Sequence, residues 1–446
     1  MKTKKLFGTL LSVAAAVVLT ACSNNSDDIV SEQSPVKGKT TIPYTVTVGN
    51  VTRASVGDDQ STLTFDSSDK LYVYGGEFSG MLSLESGAGQ ATAVFKGTLS
   101  GEGTPADDLQ MSAVLVSDSQ QGWSSDDPTT INYNSALCAT LDEAVKKYSL
   151  LTGTSTFADA SFALTQQTAF LNCTITLKGA AAGRITMNVT NKAGAAYRPS
   201  VSVAQGMVTT TSGTNGAVAT FTVPLAKGTN LSFGRVAVIG AAYKPSAFSA
   251  TLSDGKVYNL SRELDEVETV QLWEDGPLFA KTNIGAISET DYPDVFAFGE
   301  TSTKANYTSG NYTIGNQAVT TLTGGSNTIA GTQYDPAVVN WGSDWQMYNA
   351  NSFYGSSLVT RERTTVNGVY GMLIKGQGDF ADKSLFLPAY TYYNGNRVTS
   401  DGIYHSGLQT GNGTSSTFHW SGGNSGEPAM SFLKWAGAPI IPIKVH

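Results

Sequence analysis

Thr41-Ile42-Pro43-Tyr44-Thr45-Val46-Thr47-Val48 alternates in polarity along its length. Successive side chains of a strand point to opposite faces, so Ile42, Tyr44, Val46 and Val48 share one buried face. Pro43 has no N–H for a ladder bond and marks an edge or first-position strand. Working outward, short strands are predicted at 71–74, 92–95, 113–116, 185–189, 221–225 and 236–239, punctuated by Gly, Asn, Asp and Ser. Residues 169–177 (Ala-Phe-Leu-Asn-Cys-Thr-Ile-Thr-Leu) repeat the alternation and put Cys173 on the buried face. One helix is predicted at 137–150, where Leu137, Leu141, Ala144, Val145 and Tyr148 fall on one side. Many short strands between turn signals indicate β-sandwiches. About 230 residues suit two of them, with a break near residue 156.

Composition bounds the rest. A chain of 446 residues corresponds to about three domains. Charged residues are 14% of it, against about 25% in an ordinary globular protein, which excludes a disordered polyelectrolyte. With 28 basic and 36 acidic residues, the net charge of −8 argues against a nucleic-acid partner. Three histidines and three cysteines leave little for a His/Cys metal site.

Residues 1–21 read as a secretion signal. Lys2, Lys4 and Lys5 precede an apolar run at 10–19 that is too short to span a bilayer as a mature helix. Leu19-Thr20-Ala21-Cys22 resembles the bacterial lipobox, which implies lipidation of Cys22 as the mature N-terminus. Losing the signal takes the net charge from −8 to −11. Ser23-Asn24-Asn25-Ser26-Asp27-Asp28 is similar to the surface-export signal of Bacteroidetes lipoproteins. That implies a surface-exposed lipoprotein of the outer membrane. The polar stretch at 22–39 reads as a flexible tether. In an oxidising compartment Cys138 and Cys173 are able to pair, although a free core cysteine is the default for Cys173.

Val51-Thr52-Arg53-Ala54-Ser55, Phe65 and Ser68-Asp69-Lys70-Leu71-Tyr72-Val73-Tyr74 together resemble the opening of the fimbrillin superfamily of Bacteroidales. Ser68 stands in place of the family's glycine and Phe65 in place of its usual tryptophan. Phe162-Ala163-Leu164-Thr165-Gln166-Gln167-Thr168-Ala169 is similar to the start of that family's second sandwich. The likeness covers roughly residues 40–273.

A second likeness begins near Trp273. Asn283-Ile284-Gly285-Ala286, Phe296-Ala297-Phe298-Gly299-Glu300-Thr301, Asn340-Trp341-Gly342-Ser343-Asp344-Trp345-Gln346-Met347, Leu385-Phe386-Leu387-Pro388-Ala389 and His419-Trp420-Ser421 follow in order. Their spacing is similar to the major paralogous domain of Fibrobacter and Bacteroides surface proteins, which implies a C-type-lectin-like fold. Gln346 stands where that family has arginine, and Tyr348-Asn349 replaces its Pro-Thr. Trp341, Trp345 and Trp420 read as core rings rather than ligand contacts. The expected architecture is mainly β. A signal (1–21) and tether (22–39) lead into two tandem fimbrillin-like β-sandwiches (40–155 and 156–273), followed by a C-type-lectin-like α+β domain (274–446).

No enzyme constellation stands out. The chain has no His-Glu-x-x-His, Gly-x-Ser-x-Gly or Walker motif. Gly376-x-Gly378-x-x-Ala381 leads into a strand-like segment and reads as a turn. The histidines are His405, His419 and His446, and nothing around them marks a Ser-His-Asp site. The Glu-Pro-Asn, Gln-Pro-Asp and Trp-Asn-Asp signatures of calcium-dependent lectins do not occur; Glu427-Pro428-Ala429 comes nearest but lacks the chelating amide. Neither a metal nor another cofactor is expected. Tyr390, Tyr392, Tyr393 and Tyr404 are candidates for stacking against a glycan.

The fimbrillin likeness implies a mechanism for Arg53. In that family a lipoprotein precursor is cut by an arginine-specific or trypsin-like protease, its first strand leaves, and a neighbouring subunit's strand fills the groove. Arg53 follows the strand at 41–48 and is the only arginine before residue 184, so a cut between Arg53 and Ala54 is one reading. The other is a surface arginine in an uncleaved, lipid-anchored chain. Two functions follow. The first is a fimbrial subunit at or near the pilus tip, joined to other pilus subunits by β-strand addition and carrying the lectin-like module as an adhesive head for a host or microbial ligand. The second is a non-polymerising glycan-binding lipoprotein. Ala438-Pro439-Ile440-Ile441-Pro442-Ile443-Lys444-Val445 is apolar and donor-like, but the resemblance implies a closing strand there.

Overall fold

The computed structural model describes residues 39–49, 65–133, 136–179, 184–190, 202–209, 211–213, 216–253, 255–304, 306–349, 356–393, 396–420 and 430–445. Its first unit contains β1 (Lys39–Gly49), β2 (Lys70–Gly75), β3 (Phe78–Ser86), β4 (Ala93–Glu102) and β5 (Gln110–Val116). A hairpin of β6 (Trp123–Ser124) and β7 (Asp127–Ile131) follows, then helix α1 (Leu141–Tyr148). β8 (Leu151–Thr156), β9 (Ser161–Ala163) and β10 (Thr165–Gln166) complete it. Eight of these strands form one sheet in the order β10-β8-β5-β2-β3-β4-β1-β9. β9 and β10 lie at opposite edges, yet only Leu164 separates them in the chain, so the sheet curls until its edges meet. The approach is close: a Cβ on Gly153 of β8 would sit 2.6 Å from the Ala163 carbonyl oxygen of β9. Inside lies a core that includes Val46, Val48, Phe65, Leu71, Val73, Phe95 and Phe162. The strands of this sheet run to Gln166, past the break expected near residue 156. The cause is long-range pairing of β9 with β1, which local turn signals do not reveal.

Two four-stranded sheets form the second unit. Its strands are β11 (Thr168–Leu177), β12 (Arg184–Thr190), β13 (Ser202–Thr209), β14 (Thr211–Gly213), β15 (Gly216–Ala226), β16 (Thr229–Ile239), β17 (Ser246–Leu252) and β18 (Val257–Leu264). The sheets run β14-β15-β11-β18 and β13-β12-β16-β17, around a core that includes Leu171, Cys173, Ile175, Phe221, Val236 and Phe248. Cys173 faces this core, whereas Cys138 belongs to a separate cluster with Ala144, Val145 and Phe170 beneath α1. The two are not joined in a disulfide, and burial pushes their thiols up, Cys138 to about 11 and Cys173 to about 12.

The predicted helix is shorter than its apolar pattern, because Thr140 caps it by accepting from Glu143 N at 3.2 Å. Although α1 sits between two strands of the first sheet, its apolar face packs on β11 and β15 of the second unit. Thr168 strengthens that joint. Its buried hydroxyl donates to Tyr148 O at 2.7 Å, accepts from Leu150 N at 3.0 Å and lies 2.8 Å from the Tyr133 hydroxyl.

The C-terminal unit contains β19 (Thr269–Val270), β20 (Leu278–Ala280), α2 (Val319–Thr323), α3 (Pro336–Trp341), β21 (Trp345–Met347) and β22 (Val359–Val366). β23 (Val369–Gly376), β24 (Ser384–Pro388), β25 (Thr391–Tyr393), β26 (Asn396–Val398), β27 (Gly402–Gly411), β28 (Thr414–Trp420), β29 (Met430–Leu433) and β30 (Pro442–Lys444) follow. β30 lies between β20 and β21 in the order β19-β20-β30-β21. The apolar stretch 438–445 is therefore built into a sheet, with Ile440, Ile441 and Ile443 buried. The sequence motifs gather around it. Asn283 Nδ2 donates to Ile440 O at 2.5 Å, and Phe296 bridges to Ala438. Trp341 and Trp345 meet edge to face at 4.9 Å, and Trp420 stacks on Tyr404 at 5.5 Å. All four rings are buried.

A second joint holds this unit to the sandwich before it. Arg235 of β16 reaches Asp294 at 3.2 Å and also donates to Gly285 O at 3.2 Å, both acid and base being mostly buried. Gly240 N donates to Asn340 O at 2.8 Å. Gly285 has φ +74°, and a Cβ there would lie 2.0 Å from Asp294 Oδ2. Truncating one partner of a desolvated ion pair leaves the other charge uncompensated. Arg235→Ala is therefore expected to destabilise the joint by about 3 kcal/mol. Calorimetry should show the C-terminal unit unfolding separately from the second sandwich. A single unchanged transition would contradict it.

Candidate functional site

β1 is the strand that the fimbrillin likeness singles out. Its alternation is largely realised: Tyr44, Val46 and Val48 are buried, Ile42 on the same face is half-buried, and Thr41, Thr45 and Thr47 are exposed. It pairs antiparallel with β4 over ten positions, from Lys39↔Glu102 to Val48↔Ala93. On its other side it pairs with β9 only at Thr47–Gly49, in parallel. Pro43 thus sits where β4 alone pairs with β1, which explains how the sheet tolerates its missing donor. Tyr44 stacks on Phe157 at 5.0 Å and donates its hydroxyl to Phe157 O at 2.9 Å.

Each buried side chain of β1 contributes roughly 1.5–3 kcal/mol. The strand seals a slot between β4 and β9, with a 15-residue stretch of sequence, 50–64, before Phe65. Arg53 and Ala54 belong to that stretch and lie outside the described residues, as does Cys22. Arg53 is the only basic residue between Lys39 and Lys70.

The tyrosine candidates require a correction. Tyr390, Tyr392 and Tyr404 are core residues, 3%, 5% and 0% exposed, and present no stacking platform. Tyr390 packs against Tyr292 at 5.2 Å and Tyr392 against Tyr307 at 5.4 Å. The Tyr404 hydroxyl is satisfied by Pro388 O at 2.9 Å. The physical reason is the bridge of Tyr392 to Gly437, which draws this segment under the closing stretch. Tyr393 pairs with Asn396 in the β25–β26 hairpin, and its side chain lies outside the described part.

His405 lies beside a serine but not beside an acid. Ser415 Oγ is 3.0 Å from Nδ1, and Nε2 is 3.3 Å from Ala436 O. A carbonyl only accepts, so Nε2 carries the proton and Nδ1 accepts from the serine. His405 is 1% exposed and Ser415 fully buried, so no substrate reaches the pair. Burial pushes the imidazole down to about 4, a poor base at neutral pH. His419 is half-buried in β28, in register with Ile403, while His446 and Glu427-Pro428-Ala429 lie outside the described residues. Among the described residues no group of three or more His, Cys, Asp or Glu is arranged to hold a metal ion.

No protein-family model matches the chain, and no curated protein matches it. Among solved structures, the chain is similar to a candidate cell adhesion protein from Bacteroides ovatus, with 11% identity and a TM-score of 0.28 over 51% of this chain and 97% of that one. The fimbrial anchor protein Mfa2 from Porphyromonas gingivalis gives 10% identity and a TM-score of 0.28 over 53% and 99%. The tip fimbrial protein Mfa3 from the same organism, truncated at its C-terminus, gives 10% and 0.23 over 47% and 81%. At these values, function rests on the geometry of the chain itself.

Proposed function

We propose that this chain is a cell-surface fimbrial subunit that accepts a neighbour's strand in the slot occupied by β1, once a protease cuts between Arg53 and Ala54. The observation that supports this most strongly is β1 itself. It is inserted between β4 and β9, seated by Tyr44, Val46 and Val48, and followed by a stretch with a single basic residue. Its departure would uncover the β4 edge and three apolar seats two residues apart. An incoming strand with apolar residues at every second position supplies both the main-chain bonds and the side chains.

The 438–445 stretch is already sheet-bound, so the subunit would accept a strand without offering that one. Such a subunit suits the tip of a pilus. In this reading Cys22 carries the lipid that delivers the precursor to the outer membrane, and the C-terminal unit, as a C-type-lectin-like module, is the adhesive head. The two joints, at Thr168 and at Arg235–Asp294, would pass load from that head to the first sheet.

The test is the N-terminal sequence and lipidation state of protein recovered from the cell surface. A chain starting at Ala54 without lipid is expected, and Arg53→Ala should block both cleavage and incorporation into pili. A surface population that still begins at acylated Cys22 would remove the tip assignment.

A further inference from the structure

The motif Phe296-Ala297-Phe298-Gly299-Glu300 does more than fill a core. Phe296 and Phe298 point inward and are buried, but just beyond them the chain borders a cavity of about 520 Å³ that opens to solvent. That lies within the range of roughly 300–1,000 Å³ usual for small-ligand sites. Glu300, Ser302, Lys304, Thr313, Gln333 and Tyr334 contribute to its wall.

Its polar groups are fixed in advance. Glu300 is 7% exposed; its Oε1 accepts from Thr313 N and Thr313 Oγ1, both at 2.7 Å, and its Oε2 lies 2.5 Å from Lys304 Nζ. Lys304 Nζ also donates to Asn311 O, while its contact with Glu300 Oε2 is an ion pair without hydrogen-bond geometry, so it keeps protons for a ligand oxygen. The Thr313 hydroxyl donates its hydrogen bond to Glu300 and keeps lone pairs that accept one from a ligand. Tyr334, half-buried, packs against the cluster that holds Trp341 and Trp345. Asn340 ties the wall to α3 by donating to Thr301 O at 3.1 Å.

We infer that this cavity binds a neutral pyranose unit of a glycan. A sugar ring carries hydroxyls that both donate and accept, beside C–H faces that suit an aromatic wall. The Lys304 charge is compensated by Glu300, so an anionic ligand would lose its hydration without meeting a free countercharge. Groups held by packing and hydrogen bonds before the ligand arrives lose little freedom on binding. The site rests on the reading of the C-terminal unit as the adhesive head and gives that head a ligand class. It is separate from the tyrosines singled out from the sequence.

Saturation-transfer NMR on the full chain with the methyl glycosides of glucose, galactose, mannose and N-acetylglucosamine tests it. At least one is expected to give a saturable signal. Ser302→Trp and Gln333→Trp, each at an exposed wall position, should weaken it about tenfold or more with the unfolding midpoint unchanged. No signal from any neutral glycoside, a signal from sialic acid alone, or binding indifferent to both fillers would overturn the site. The N-terminus of the surface protein decides the assembly reading separately. A chain that starts at Ala54 yet takes none of these glycosides would remove this site alone.

Discussion

Lowering the pH from 7 to 4 is expected to destabilise the C-terminal unit by roughly 3 kcal/mol through His405 alone. The imidazole is held neutral in the fold, pushed down from 6.5 to about 4 by burial. The unfolded chain protonates it near the ordinary value, so it binds a proton where the folded chain does not. The stabilisation is complete above about pH 6.5 and declines as the pH falls toward 4. The surroundings reinforce the sign. Lys434 is also buried, 5.5 Å from the centre of the Phe298 ring, and the same ring lies 5.9 Å from His405. A second cation there would be poorly received. Unfolding followed across this window should show the decline in the wild type. His405→Asn should remove most of the slope, although it starts less stable because Ser415 and Ala436 lose their partner. An unchanged slope in the variant would assign the acid sensitivity elsewhere.

Val46→Asp is expected to expel β1 rather than unfold the protein. Val46 is 1% exposed, and a carboxylate buried there without a partner costs several kcal/mol. That approaches what the three buried side chains of the strand contribute together. A separable strand relieves the penalty by leaving its slot. Arginine-specific cleavage after Arg53 should then accelerate while the second sandwich and C-terminal unit keep their unfolding midpoints. Thr45→Asp, on the exposed face of the same strand, should stay within about 0.5 kcal/mol of the wild type. If Val46→Asp brings down the whole chain, β1 is integral to the fold and strand exchange fails as a mechanism.

What the sequence discloses follows the range of each interaction. The face of β1 is legible because a period of two needs only eight consecutive residues, and the helix because its capping and apolar positions are local. The joints are not. Arg235 meets Asp294 across 59 positions, and Thr168 meets Tyr133 across 35. No local pattern marks either pair. Tyr390, Tyr392 and Tyr404 look alike on an exposed platform and in a core, and only the bridge from Tyr392 to Gly437 separates the two. The cavity is hidden from the sequence for a related reason. Phe296 and Phe298 are buried, while Glu300 and Lys304, a few residues on, border open space formed by segments as distant as Gln333.

The most direct test of strand exchange is to cut the full chain with an arginine-specific protease and offer it an isotope-labelled peptide of residues 39–49. Native mass spectrometry then reads which strand fills the slot. Cleavage after Arg53, loss of the original N-terminal fragment and one labelled peptide per chain are expected, with a Val46→Asp peptide failing to enter. A folded chain that resists the cut, or that keeps its own fragment and excludes the labelled one, would contradict the proposal.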